Sequence, residues 1–194
     1  MLEFSCLGLS VTHTVLVQPS NVVIAGWTGR NNEAVEHHIE ELAVIGVPRP
    51  STAPLYYRVG VACLTQARSI QVVGNNTSGE VEPVLFATAD GLWLTVGSDH
   101  TDRSAETYSV ALSKQLCPKV IANQVWRFSE IKDHADQILL RSWIVEIRGV
   151  NASDSEPKVL YQDGTLAAIR PLESLMADYK KVALRSGAQP YPCT

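Results

Sequence analysis

The sequence predicts an α+β fold that is mainly β, and two observations carry that expectation. Val, Ile and Thr are abundant along the 194 residues, and β-branched side chains fit a pleated surface better than a helical one. Short apolar runs bounded by Gly, Pro and Asn far outnumber segments with helical spacing. A chain of this length builds one domain with a substantial core, here expected over residues 1–184, with a loose tail over 185–194.

The elements follow in order. Asn21-Val-Val-Ile-Ala-Gly26 reads as a buried strand leading to Thr28-Gly-Arg-Asn31. A helix is expected from about Asn32 to Ile45. Asn31 or Asn32 caps it, Val35, Ile39, Leu42 and Ala43 form its apolar stripe, and Gly46 with Pro48 ends it. Leu55 to Ala62 and Ser69 to Val73 read as strands, followed by the turn cluster Gly74 to Gly79. Glu80 to Ala87 and Leu92 to Ser98 read as a hairpin closed at Asp90-Gly91, a strong turn dipeptide. Ser129 to Leu139 reads as a short helix, Arg141 to Arg148 and Pro157 to Tyr161 as strands, and Leu172 to Leu184 as a final helix.

Composition narrows the function. With 16 basic and 20 acidic residues the net charge is −4, which lacks the positive field needed to neutralise many phosphates, so nucleic acid is not an expected partner. No run of about 18 apolar residues or signal-peptide core is present, so neither a membrane span nor secretion is expected. Cys6, Cys63, Cys117 and Cys193 stand far apart without CxxC spacing, which fits a reducing compartment, the cytoplasm. Cys117, before Pro118, is expected to be a packed thiol.

The chemistry concentrates in the hairpin. Glu80 and Glu82 are two apart on a strand and share a face. A two-residue turn at Asp90-Gly91 sets Glu82 opposite Asp99, whereas a longer turn sets Glu80 opposite Asp99, and both registers gather all three carboxylates on one face. Cross-strand neighbours lie ~5 Å apart and diagonal ones ~7–8 Å, so the charges repel unless a cation is shared among them. Oxygen ligands without Cys or His select a hard ion, Mg²⁺ or Mn²⁺ with Ca²⁺ as a substitute, with positions left for water and substrate. The other reading of the same residues is a solvated acidic face whose charge nearby Lys or Arg neutralises.

Three further groups are placed to serve a metal. His38 and Glu41 are helical neighbours at i and i+3, beside the apolar stripe, and suit a base and its orienting partner. His37 and Glu40 repeat the spacing on the wetter face. Arg103 and Lys114 follow Asp99 closely and suit a substrate carboxylate or an enolate.

The order of these motifs resembles the fumarylacetoacetate hydrolase family, and within it a branch known only as a domain of unknown function. Thr28-Gly-Arg-Asn31 is similar to the family's GRN segment, and His38-Ile-Glu-Glu41 to its HxxE dyad. Gly79-Glu-Val-Glu82 is similar to its ExE metal pair. Gly97-Ser-Asp-His-Thr-Asp-Arg103 resembles its third metal carboxylate with a following arginine, and Ser113-Lys114 before Cys117-Pro118 resembles its lysine loop. The resemblance spans about Val22 to Met176, and the family's last strands with their TGTP-like substrate loop have no counterpart. It implies a mixed β-sheet roll with peripheral helices, usually a homodimer. It also implies metal at Glu80, Glu82 and Asp99, catalysis by His38, Glu41 and Lys114, and substrate contacts from Arg30, Arg103 and Lys114.

The expected activity is Mg²⁺- or Mn²⁺-dependent hydrolysis of a C–C bond, or decarboxylation, of a small 3-oxo or acylpyruvate-type acid. An isomerase or cyclase of specialised metabolism, or a non-catalytic binding protein, are the alternatives. Oxygen from water in the product separates hydrolase from isomerase, and metal-dependent turnover separates enzyme from binder.

Overall fold

A computed structural model describes residues 1–8, 13–145 and 158–185. The fold is α+β and mainly β, as the composition predicts. Its strands are β1 (Leu2–Cys6), β2 (His13–Val17), β3 (Val22–Gly26), β4 (Leu55–Val59), β5 (Leu64–Thr65), β6 (Thr77–Ser78), β7 (Val81–Thr88), β8 (Gly91–Ser98), β9 (Thr101–Asp102), β10 (Lys119–Ile121), β11 (Gln124–Arg127), β12 (Leu139–Ile144) and β13 (Val159–Thr165). The helices are α1 (Asn32–Val44), α2 (Arg103–Glu106), α3 (Val110–Gln115), α4 (Phe128–Ile131) and α5 (Leu172–Arg185).

Seven strands form a mixed sheet in the order β2-β1-β11-β8-β10-β5, with β7 on the other side of β8. β1 runs parallel to β11 and β10 parallel to β5, while the remaining pairs are antiparallel. Phe4 of β1 stacks on Phe86 of β7 with ring centroids 4.9 Å apart, although β11 and β8 lie between their strands. Adjacent strands are spaced by ~4.8 Å, so this contact requires the sheet to curl around the face that carries both rings. Trp93, Cys6, Ile121 and Val125 fill that concave side as the core.

The hairpin turns one residue earlier than expected. Thr88 pairs with Gly91, which leaves Ala89 and Asp90 as the turn and Gly91, at φ +123°, as the first residue of β8. The Thr88 hydroxyl explains the shift, since it accepts from the Asp90 backbone N–H at 3.2 Å and the Trp93 indole N–H at 3.0 Å. Two donors on one side chain fix the turn where Thr88 stands, and glycine supplies its positive φ just beyond it.

Other boundaries move for local reasons. The strand expected over Leu55 to Ala62 ends at Val59 and passes into a 3₁₀ turn, Val61–Cys63. Ser69 to Val73 forms no strand. The helix expected from Ser129 to Leu139 divides into α4 and a 3₁₀ segment, Lys132–Gln137, kinked at His134. α1 begins as expected, with the Asn31 side chain accepting from the backbone of Glu33 and Ala34. Beyond Val145 the expected Arg141–Arg148 strand lies outside the described residues, as does the expected tail apart from Arg185, which closes α5.

The ribbon β12–β13 packs beside β7, where the backbone N–H of Val81 donates to Gln162 Oε1 at 2.6 Å. Away from that anchor Trp143, Ile144, Val159 and Leu160 are exposed. Cys6, Cys63 and Cys117 are free thiols, and Cys193 lies outside the described residues. Among the described residues no helix is long and apolar enough to cross a membrane.

Candidate functional site

The register that sets the turn also sets the carboxylates. Counting back from Thr88 opposite Gly91 puts Val81 opposite Ser98, and the Asp99 backbone N–H continues the ladder to the Glu80 carbonyl at 2.9 Å. Glu80 is therefore opposite Asp99, and Glu82 is one step along the same face, opposite Gly97. The position across from Glu82 is too crowded for a side chain, since a Cβ at Gly97 would meet Val84 at 2.8 Å and the Val120 carbonyl at 2.9 Å.

Each carboxylate meets a different solution to its charge. Asp99, only 6 % exposed, ion-pairs with two buried lysines, Lys114 through Oδ2 and Lys119 through Oδ1 at 3.0 Å. Lys114 Nζ donates a hydrogen bond to Oδ2. Lys119 is close to Oδ1 but off the direction a hydrogen bond needs, so that buried oxygen has a counter-charge and no aligned donor. Glu80 takes the Arg103 guanidinium at 2.8 Å, and Arg103 also donates to Glu106 at 3.0 Å and to the Ser78 hydroxyl at 2.8 Å. Burial works against the Arg103 cation, but Glu80 and Glu106 outweigh it and hold its pKa above the ordinary value.

Among the described residues Glu82 has no ion-pair partner. Burial, then the negative charges of Glu80 and Asp99, push its carboxyl up to about 8 against the pull of Lys114, so near neutrality it carries a proton. Lys119 moves the other way, lowered mainly by burial, with Asp99 opposing and Lys114 adding to the fall. His100, next along the chain, is lowered by burial and by Lys119 and Arg103, and its Nε2 lies 2.9 Å from the Thr77 hydroxyl.

The three carboxylates are neighbours, yet among the described residues no group of three or more His, Cys, Asp or Glu side chains stands ready to hold a metal ion. Their mutual repulsion is relieved by Lys114, Lys119, Arg103 and the Glu82 proton.

Arg30 is elsewhere. Its guanidinium makes a two-pronged pair with Asp136, both contacts at 2.8 Å, and its Nε donates to the Ile169 carbonyl. That hydrogen bond depresses Asp136 and raises Arg30. With its fork engaged in joining the start of α1 to the Lys132–Gln137 turn, Arg30 does not face the carboxylates.

His38 and Glu41 do meet, Nδ1 to Oε2 at 3.5 Å, but His37 reaches the other Glu41 oxygen at 3.4 Å, and both histidines are largely exposed. Of the α1 residues only Ile39 is buried. What links α1 toward the carboxylates is aromatic. The His38 ring lies 5.9 Å from that of Trp27, whose indole N–H donates to the Tyr57 hydroxyl at 3.1 Å, and the Tyr57 ring is 6.0 Å from Lys114 Nζ. Trp27 takes φ +61°, unusual for a bulky residue.

Lys119, Glu106, Trp27 and Tyr57 were not singled out in the sequence. Lys119 did carry a signal, since it alternates with Ile121 on a short strand and so falls on that strand's buried face. Glu106 stands at i+3 from Arg103, the spacing that pairs charges on a helix.

A family model matches residues 25–189, and its description reads protein of unknown function (DUF2848). This corrects the resemblance drawn from the motif order, because the fumarylacetoacetate hydrolase model is not the one that matches. No curated protein and no solved structure matches the chain.

Proposed function

The chain belongs to the DUF2848 family, whose description assigns no activity, and we propose that it is a divalent-cation-dependent hydrolase or lyase; the motif order in the sequence, and not the geometry of the site, suggests a small 3-oxo or acylpyruvate-type acid as its substrate. The observation that carries this is the grouping of Glu80, Glu82 and Asp99 on one face of paired strands, with the buried Asp99 Oδ1 lacking an aligned donor. Asp99 is more than nine-tenths buried, and a carboxylate taken that far from water needs full compensation.

The donors fit a hard ion. Glu80, Glu82 and Asp99 offer oxygen only, the chemistry that suits Mg²⁺ or Mn²⁺. When bound, such an ion would polarise the carbonyl of an oxo acid as a Lewis acid. The protein's own residues do the remainder. Lys114 and Arg103 supply charge for the acid group of the substrate, Arg by its fork and Lys as a point charge. Lys119 keeps an ion pair with Asp99 Oδ1. On α1, His38 presents Nδ1 to Glu41, which leaves Nε2 to take a proton from water when the helix closes over the substrate.

Stripping the protein with chelator, adding back Mg²⁺ or Mn²⁺ and following oxaloacetate and an acylpyruvate by ultraviolet absorbance tests the proposal. The expected result is turnover that needs the ion and is lost in Glu82→Gln. Equal rates with and without metal, or no turnover together with no Mn²⁺ binding in electron paramagnetic resonance, would overturn it.

A further inference from the structure

The two lysines on Asp99 are held differently. Lys119 Nζ touches Asp99 Oδ1 and also donates to the His100 carbonyl, and its strand β10 is fixed between β8 and β5. Among the described residues Lys114 donates to Asp99 alone, and it stands on α3, a six-residue helix. Within 6.0 Å of its ammonium lies the face of Tyr57, whose hydroxyl is engaged by Trp27. One lysine is built in, and the other has a second place to go.

An ammonium and a divalent ion compete for the same carboxylate oxygens. The ammonium carries one charge and reaches one of the three carboxylates, whereas a divalent ion carries two and is shared among all three. We propose that Lys114 is an internal stand-in for the metal, displaced from Asp99 when a divalent ion binds and thereby released toward Tyr57 and the substrate's acid group. Binding is then ordered, metal first and anionic substrate second, because the residue that recognises the acid is occupied until the ion arrives. An aromatic face is a suitable resting point for a released ammonium, which it attracts through the ring quadrupole. Lys119 stays behind as the fixed counter-charge of Asp99. The proposal rests on the carboxylate site described above, and it adds how that site is made ready for substrate.

The test uses the whole chain and the metal alone. Amine acetylation of the metal-free and Mn²⁺-saturated protein is followed by peptide mass spectrometry, with Mn²⁺ occupancy read by electron paramagnetic resonance. Lys114 labelling is expected to rise by roughly tenfold or more with Mn²⁺, as a buried, paired amine becomes accessible, while Lys119 labelling stays constant. Bound Mn²⁺ with Lys114 still protected would overturn the exchange and leave the metal site standing. Absence of bound Mn²⁺ would overturn both. In Lys114→Met the Mn²⁺ dissociation constant is expected to fall by about tenfold or more, and by more than in Lys119→Met, because the competitor is gone. Mn²⁺ affinity in Lys114→Met that is unchanged or weaker would also count against the exchange.

Discussion

The carboxylate face and helix α1 both pair ionisable side chains at short range, and they put those pairs in opposite environments. Lys114, Lys119 and Asp99 are each less than 10 % exposed, whereas His38 and Glu41 are each 60 % exposed. Coulomb attraction is therefore consequential in the buried group, which water cannot reach, whereas water screens any interaction of the helix pair. Sequence spacing found both pairs. Burial decides which of them shapes the protein.

Removing the buried counter-charge should give the largest effect. Asp99→Asn leaves two buried ammonium groups facing a neutral amide, and the expected loss is about 3–5 kcal/mol in urea denaturation. A loss below about 1 kcal/mol would mean that the lysines escape to water and that the two regions are not so different.

Glu82 sharpens the comparison through pH. Its carboxyl is raised to about 8 in the folded chain, above the ordinary glutamate value, so between those values the folded state keeps a proton that the unfolded state has released. Stability should then fall as pH rises from about 5 to about 8, with a limiting slope of roughly 1.4 kcal/mol per pH unit from this group, and level off above. Glu82→Gln copies the protonated form and should flatten that slope, leaving the variant more stable than the parent at pH 8. An unchanged slope would show that Glu82 is ionised in the native protein.

On α1 the expected effect is kinetic. Glu41→Gln should move the melting temperature little, in keeping with an exposed pair worth about 0.3–0.5 kcal/mol. In oxo-acid turnover it should slow the chemical step by roughly a hundredfold as the base loses its orienting charge. Unchanged turnover in both Glu41→Gln and His38→Ala would reduce the site to the carboxylates and their cations. The smallest effect belongs to Arg30→Ala. It should leave KM for the oxo acid unchanged, because its guanidinium is spent on Asp136, and a raised KM would return Arg30 to the substrate.

Much of this was legible because it is local. The two-residue period put Glu80 and Glu82 on one face, and either register brought Asp99 beside them. Asn31 and Gly46 bounded α1 by cap and stop chemistry. The register itself was not legible, since it depended on the Thr88 hydroxyl gathering two donors, one from an indole five residues on. The pairing of Arg30 with Asp136 was not legible, because the two are 106 positions apart and nothing local announces so distant a pair. Lys119 is hard to read locally because a lysine in a strand has the character of surface, and only its alternation with Ile121 places it on the buried face.

Trp27, held in a left-handed backbone conformation between the His38 ring and the Tyr57 hydroxyl, gives the protein an optical gauge at the junction of its two regions. Its emission should respond on one side to the distance of the imidazole carried by α1, and on the other to the polarity around the ring that faces Lys114. Trp93 is sealed in the core, and Trp126 and Trp143 lie at the surface, so in a chain retaining Trp27 alone, with the others changed to Phe, fluorescence intensity and wavelength would track helix closure and ammonium release in one cuvette, without an added dye.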